Sequence, residues 1–312
     1  MRWPWGSAAQ SRDTGDEESV AALAAARCAS LLQGGMSPTR AAASLATDIP
    51  SAETAALAEQ VRSGESVGTA FESIDDAQWR VLGAAWQLAE RSGAPFAPAL
   101  ERIAAALRSI TEVARRRDVL LAGPRATVRL VAWLPLVAVG VGFLLGFDPL
   151  PVFLTPLGAC LLAVGLLLQG AGARWTRALT DRVQRKDHVA GLECELVWIA
   201  LAGGAPPGRA LRSVADAVSG CGAEWIQLDS LRSGTPLGSA MATAMDAGAP
   251  ASSLLRDTAG ELRARAQATI EREAERLGVR ILVPLACCVL PAFIALGVVP
   301  VIVTLLGDVL PG

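Results

Sequence analysis

Few residues in this 312-residue chain have the type and spacing to do chemistry. The one histidine, His188, stands between Asp187 and Val189, and a lone imidazole cannot build a His-paired metal site. The single lysine, Lys186, is not part of a GxxxxGK[ST] run, so no phosphate-cradling loop is present. Carboxylates cluster at Asp75/Asp76, Glu193/Glu195 and Glu271/Glu273/Glu275. In the last set Glu271 and Glu275 share a helix face, as do Arg272, Arg276 and Arg280; this spacing reads as interleaved, solvated charge. The six cysteines (Cys28, Cys160, Cys194, Cys221, Cys287, Cys288) show no paired metal-ligand spacing. Three of them fall in apolar windows, where cysteine behaves as a small hydrophobe, and the other three are expected to stay reduced and structural. P-loop hydrolysis is excluded, and no catalytic, cofactor-binding or metal-binding residue stands out.

The elements that would position any such residue read as helices. The chain is 52% hydrophobic, has no Tyr, and is rich in Ala and Arg, which rank high in helix propensity. Its net charge is −2 and nearly balanced in each soluble stretch, which excludes the basic excess of a nucleic-acid binder. Apolar residues concentrate in windows long enough to span a bilayer of about 30 Å. Val128–Phe147 and Pro151–Gln169, broken by Asp148-Pro149, predict a helical hairpin. Ile281–Leu306 predicts a third span, kinked by Pro284, Pro291 and Pro300 and packed against protein. Arginines gather before the first span, after the second and before the third; by the positive-inside rule the N-terminus and both soluble stretches are cytoplasmic and the C-terminus extracytoplasmic. Arg115, Arg116 and Arg117 with Arg272, Arg276 and Arg280 form a basic face beneath the membrane, onto which anionic lipid or an acidic protein rim could dock. Inside the membrane, Gly142-x-x-x-Gly146 fits close helix packing.

The soluble stretches repeat one another. GGMSPTRAAASLA at 34–46 returns as GGAPPGRALRSVA at 203–215, with seven of thirteen positions identical. VRSGESVGTA at 61–70 returns as LRSGTPLGSA at 231–240, and GAPFAPALERIAAALR at 93–108 as GAPASSLLRDTAGELR at 248–263. In the first stretch the spacing predicts helices over 21–33, from Pro38 with Ser37 as N-cap, over 77–90 and from Ala97, with Gly64 and Gly68 in a turn. The second stretch is shorter between Gly234 and Gly248, so it has shortened or lost the helix that carries Trp79 and Trp86 in the first. Apolar surface left uncovered there would be met by a partner or by the first stretch. The organisation expected is a flexible tail over 1–19, a first helical module over 20–122, a transmembrane hairpin over 127–170, a second, shortened module over 174–278 and a third transmembrane helix over 281–306. The fold class is an all-α membrane protein with two cytoplasmic helical-bundle modules and three transmembrane helices.

These motifs resemble the type II secretion system F domain family, and most nearly its tight-adherence (Flp pilus), TadB/TadC-like branch. The likeness rests on the loop–helix element at Gly34–Ala41 and Gly203–Ala210, on SGAPFAPALERIAAALR at 92–108 and on LGVRILVPLACCVLPAFIALGVVPVI at 277–302. The two-module layout is nearer to the general secretion and pilus platform proteins than to many tight-adherence relatives. The resemblance implies a non-enzymatic platform in the cytoplasmic (inner) membrane that couples a cytoplasmic assembly ATPase to pilin or pseudopilin addition. The partners implied are that ATPase, a second platform protein or further copies of the chain, pilin or pseudopilin, and membrane lipids, with no nucleic acid and no cofactor. A small transporter or channel component is the alternative; it would ordinarily need an intramembrane ionisable pair, which these spans lack.

Overall fold

The structure, a computed structural model, describes residues 19–144, 154–184, 190–223, 225–300 and 302–303, and every regular element among them is helical. In chain order these are α1 (Val20–Gln33), α2 (Pro38–Asp48), α3 (Ala52–Arg62), α4 (Val67–Glu72), α5 (Ala77–Ser92), α6 (Phe96–Leu144), α7 (Pro156–Gln184), α8 (Leu192–Ala202), α9 (Pro207–Gly220), a 3₁₀ turn (Leu228–Leu231), α10 (Pro236–Ala247) and α11 (Ala251–Arg280). Helical segments broken by π-turns then continue to Val298. The chain divides into two compact units, Met1–Arg115 with Asp187–Gln267 and Arg116–Lys186 with Ala268–Gly312. The dividing points therefore fall inside α6 and inside α11.

In the first unit the helix starts are set by side-chain caps. Ser51 and Thr54 form a reciprocal capping box at α3, and the Asp76 carboxylate accepts from the Gln78 and Trp79 N–H groups at α5. Ser37 occupies the N-cap position of α2 with Pro38 following, yet its hydroxyl makes no capping bond; only its carbonyl takes part, accepting from the Ala41 N–H at 2.9 Å. Gly68 lies inside α4 and not in a turn: a Cβ there would meet the Gln87 side chain at 2.8 Å, so the glycine serves helix–helix approach. The repeated loops share backbone geometry. Gly35 and Gly204 have φ of 84° and 85°, Gly64 and Gly234 96° and 93°, Gly93 and Gly248 73° and 65°. Side chains other than glycine rarely adopt this left-handed region, which is why glycine recurs at each landmark.

Between these landmarks the two stretches diverge. Where the first has α4 and α5, the second has only the 12-residue α10. Where the first has the 11-residue α3, the second has a loop and a four-residue 3₁₀ turn, a contraction that the conserved sequence spacing does not betray. One continuous apolar core runs through both, and α5 packs on α8 and α9. At its centre Trp86 lies 5.6 Å from Phe71 and 5.0 Å from Phe96, centroid to centroid. The second stretch thus covers the helix for which it has no equivalent.

In the second unit α7 packs against the segment 282–298. Its contact side is a glycine seam at seven-residue spacing: Gly158, Gly165 and Gly172 are buried. A Cβ on Gly165 would strike the Leu296 side chain at 2.5 Å, and one on Gly172 would meet Cys288 at 3.0 Å. Close approach through small residues is a usual basis of helix packing in a membrane. Proline loosens the facing segment. After Pro284 and Pro291, which lack an N–H, the helix dilates, with the Leu290 N–H donating to Leu285 O and the Val299 N–H to Ile294 O. The prolines expected to kink the span stand just before two π-turns.

Among the described residues two helices are long and apolar enough to cross a membrane, Gly158–Thr180 and Ala251–Val298. Large apolar side chains lie exposed along this unit, including Leu130, Leu167, Val279 and Leu282. Of the expected first span, α6 covers the part up to Leu144 and the remainder lies outside the described residues.

Candidate functional site

The most unusual polar arrangement is buried in the first unit. Helix α8 reads LECELVWIALA, nearly all apolar, and its Glu195 side chain is only 6% exposed. A charge removed from water must be paired, and Glu195 is paired twice. Arg102 on α6 donates from Nε to Oε2 at 2.6 Å, with its Nη2 2.5 Å from the same oxygen. Arg263 on α11 donates from Nη2 to Oε1 at 2.6 Å. The Arg102 guanidinium also stacks over the Trp198 ring at 4.3 Å, a cation–π contact with a residue of α8 itself. Three helices are therefore tied at one carboxylate, and two of them, α6 and α11, are the helices that run on into the second unit.

Neither arginine was singled out by sequence pattern, and Glu195 stood only in a cluster with Glu193. Helical geometry separates that pair, because residues two apart point to different sides. Glu193 is half-buried and accepts from the Gly191 N–H at 3.1 Å. The usable signal was an acid set among the apolar residues of α8, since such a residue is almost never buried without a partner. Its partners lie 93 and 68 residues away, beyond any local spacing rule.

The expected basic face is not one continuous patch of free charge. Arg115 pairs with Glu112 one turn before it at 3.0 Å, Arg116 reaches Glu271 on α11 at 3.5 Å, and Arg117 is half-buried. Arg272, Arg276 and Arg280 are exposed on α11, and none has an ion-pair partner among the described residues. Of the glycines expected to pack in the membrane, Gly142 lies in α6 and Gly146 lies outside the described residues, as does His188.

Other chemistry is sparse. An open cleft of about 420 Å³ between α10 and α11 is lined by Pro236, Ser239, Thr243, Leu254 and Thr258, and its two charged lining residues, Glu261 and Arg265, pair with each other at 3.0 Å. Burial pushes the Cys28, Cys194 and Cys221 thiols up to about 12, with nearby carboxylates adding to the shift at Cys194 and Cys221. Such thiols are protonated and poor nucleophiles at neutral pH. Among the described residues no group of three His, Cys, Asp or Glu side chains could hold a metal ion.

Comparison with known proteins gives one family. The model for type II secretion system (T2SS) protein F matches residues 24–144 and 227–299, more than half of the chain. No curated protein and no solved structure matches it. Each matched stretch contains one of the two long helices, α6 or α11, that the Glu195 cluster ties together. On this match the chain belongs to the type II secretion system protein F family, inner-membrane platform proteins of secretion and pilus machines that are generally non-enzymatic.

Proposed function

We propose that this chain is a platform of a type IV, Flp/Tad-like pilus or a type II secretion system, and that it passes the motion of a cytoplasmic ATPase to pilin or pseudopilin subunits in the membrane. The observation that carries this reading is the Glu195 cluster. It ties α6 and α11 to one buried carboxylate in the first unit, and both helices continue into a unit with exposed apolar side chains. A displacement of that anchor moves both helices together, which is the property a mechanical coupler needs.

The chain is read as an unequal duplication. Support comes from the paired left-handed glycines and from the two separate stretches matched by the family model. It is further read as having three membrane spans, a cytoplasmic N-terminus and an extracytoplasmic C-terminus, on the arginine distribution. A second platform protein or another copy of the chain would complete the assembly. Affinity purification of the tagged full chain from its own host, in mild detergent, tests the partner set. A hexameric ATPase and a small membrane pilin are expected to copurify; recovery of neither would remove the basis of the coupling reading.

A further inference from the structure

We propose that the exposed stripe Arg272–Arg276–Arg280 on α11 is a binding surface for anionic phospholipid headgroups. The inference rests on insertion of the helix that follows, and is independent of whether the machine is a pilus or a secretion system. Three observations carry it. First, the arginines stand four residues apart, so they crowd one face of about 12 Å length and repel one another. They have no ion-pair partner among the described residues. Of the nearby acids, Glu271 is engaged by Arg116 at 3.5 Å, Glu273 is half-buried, and the exposed Glu275, although one turn from Arg272, makes no ion pair with any of the three.

Second, the same face continues upward as exposed apolar surface. Val279 (68%) stands seven residues after Arg272 and so nearly in line with it on the helix wheel, Val283 (51%) lies between Arg272 and Arg276 on that wheel, and Leu290 (56%) follows on the membrane segment. A protein rim docked on the arginines would leave this apolar continuation to a different medium. A lipid monolayer meets both parts at once, with headgroups on the guanidinium groups and acyl chains on Val283 and Leu290. Third, the opposite side of the helix is already used: Ala274, Leu277 and Ile281 are buried with Leu179 of α7 against them. The arginine stripe therefore faces outward from the helix's protein contact. Guanidinium groups suit phosphate because they offer donors in a fixed planar fork.

Full-length protein in neutral detergent is titrated with phosphatidylglycerol and, separately, with phosphatidylcholine, and the ratio of binding constants is read by thermophoresis. The expected result is a preference for phosphatidylglycerol that weakens with added salt. In the triple variant R272Q/R276Q/R280Q the preference should fall on the order of 10- to 100-fold, as three cations near an anionic surface imply. A control variant, R209Q/R212Q/R256Q, removes three exposed arginines of the first unit and should keep the preference. An unchanged preference in the stripe variant overturns the proposal, and so does an equal fall in both variants. Loss of a copurifying ATPase with lipid preference intact would reassign the stripe to a protein partner. If the triple variant does not fold, the single Gln variants decide: each should lose a few-fold, and no loss in any of them overturns the proposal.

Discussion

Two carboxylates on different helices meet arginines of the same helix α6, and their surroundings differ. Glu195 is 6% exposed and lies between Arg102 and Arg263 within the apolar core of the first unit. Glu271 is 42% exposed and meets Arg116 at 3.5 Å in the second unit. The chemistry is the same pair of groups; the difference is access to water. In the first case the carboxylate is almost sealed from water, while Arg102 and Arg263 keep 18% and 31% of their side-chain surface exposed. In the second, water and salt compete with the pair at every moment. A cluster of the first kind can act as a fixed anchor, whereas a pair of the second kind adjusts at little cost.

The largest effect that would break this comparison is at Glu195. Replacing it with Ala leaves the part-exposed Arg102 and Arg263 without their carboxylate and should destabilise the protein by about 2–3 kcal/mol, measured by denaturant unfolding in detergent. A loss below about 1 kcal/mol would show that water reaches the cluster. Next is Gly203→Val, where a Cβ would sit 2.3 Å from the Ser92 carbonyl oxygen at the end of α5. Overpacking of this kind should cost about 1–3 kcal/mol and report whether the two repeated stretches share one core.

The dry interior also predicts a response to base. Cys28, Cys194 and Cys221 have thiols raised to about 12 in the folded state, above the ordinary value of about 8.5. Their raised values favour the folded state fully below that ordinary value, and the contribution is lost as pH rises from there through about 12. Unfolding midpoints should therefore fall through this alkaline window, and a Cys28→Ala/Cys221→Ala variant should show a shallower fall. The smallest effect is at the wet pair: Arg116→Ala should change stability by less than about 1 kcal/mol and by less still at high salt. A change there as large as at Glu195 would erase the distinction between the two sites.

The helical class, the membrane character and the repeated landmarks were legible because they depend on local pattern. Apolar windows, the Gly-Gly–Pro loops and the long amphipathic stretch from Ala97 all declare themselves within a few residues. Helix α5 over Ala77–Ser92 likewise follows from its own residues, with Asp76 as cap and Gly93 as stop. What sequence pattern left hidden depends on residues distant in the chain. Gly68 reads as a turn residue until Gln87 is found against it, and the absence of an α3 counterpart is masked by a similar spacing of 28 or 29 residues between landmarks. The glycine seam of α7 is visible as a seven-residue period only once its partner, the π-broken segment after Pro284, is known. Glu195 is the clearest case, since nothing near it in the chain names Arg102 or Arg263.

The coupling reading is tested most directly in the living cell. Deletion of the encoding region, followed by complementation, is scored by surface fibres and by secreted protein. The account predicts that deletion abolishes one of these outputs and that the wild-type chain restores it, while Glu195→Gln at equal membrane abundance does not. A deletion strain that keeps both its surface fibres and its secretion would contradict it.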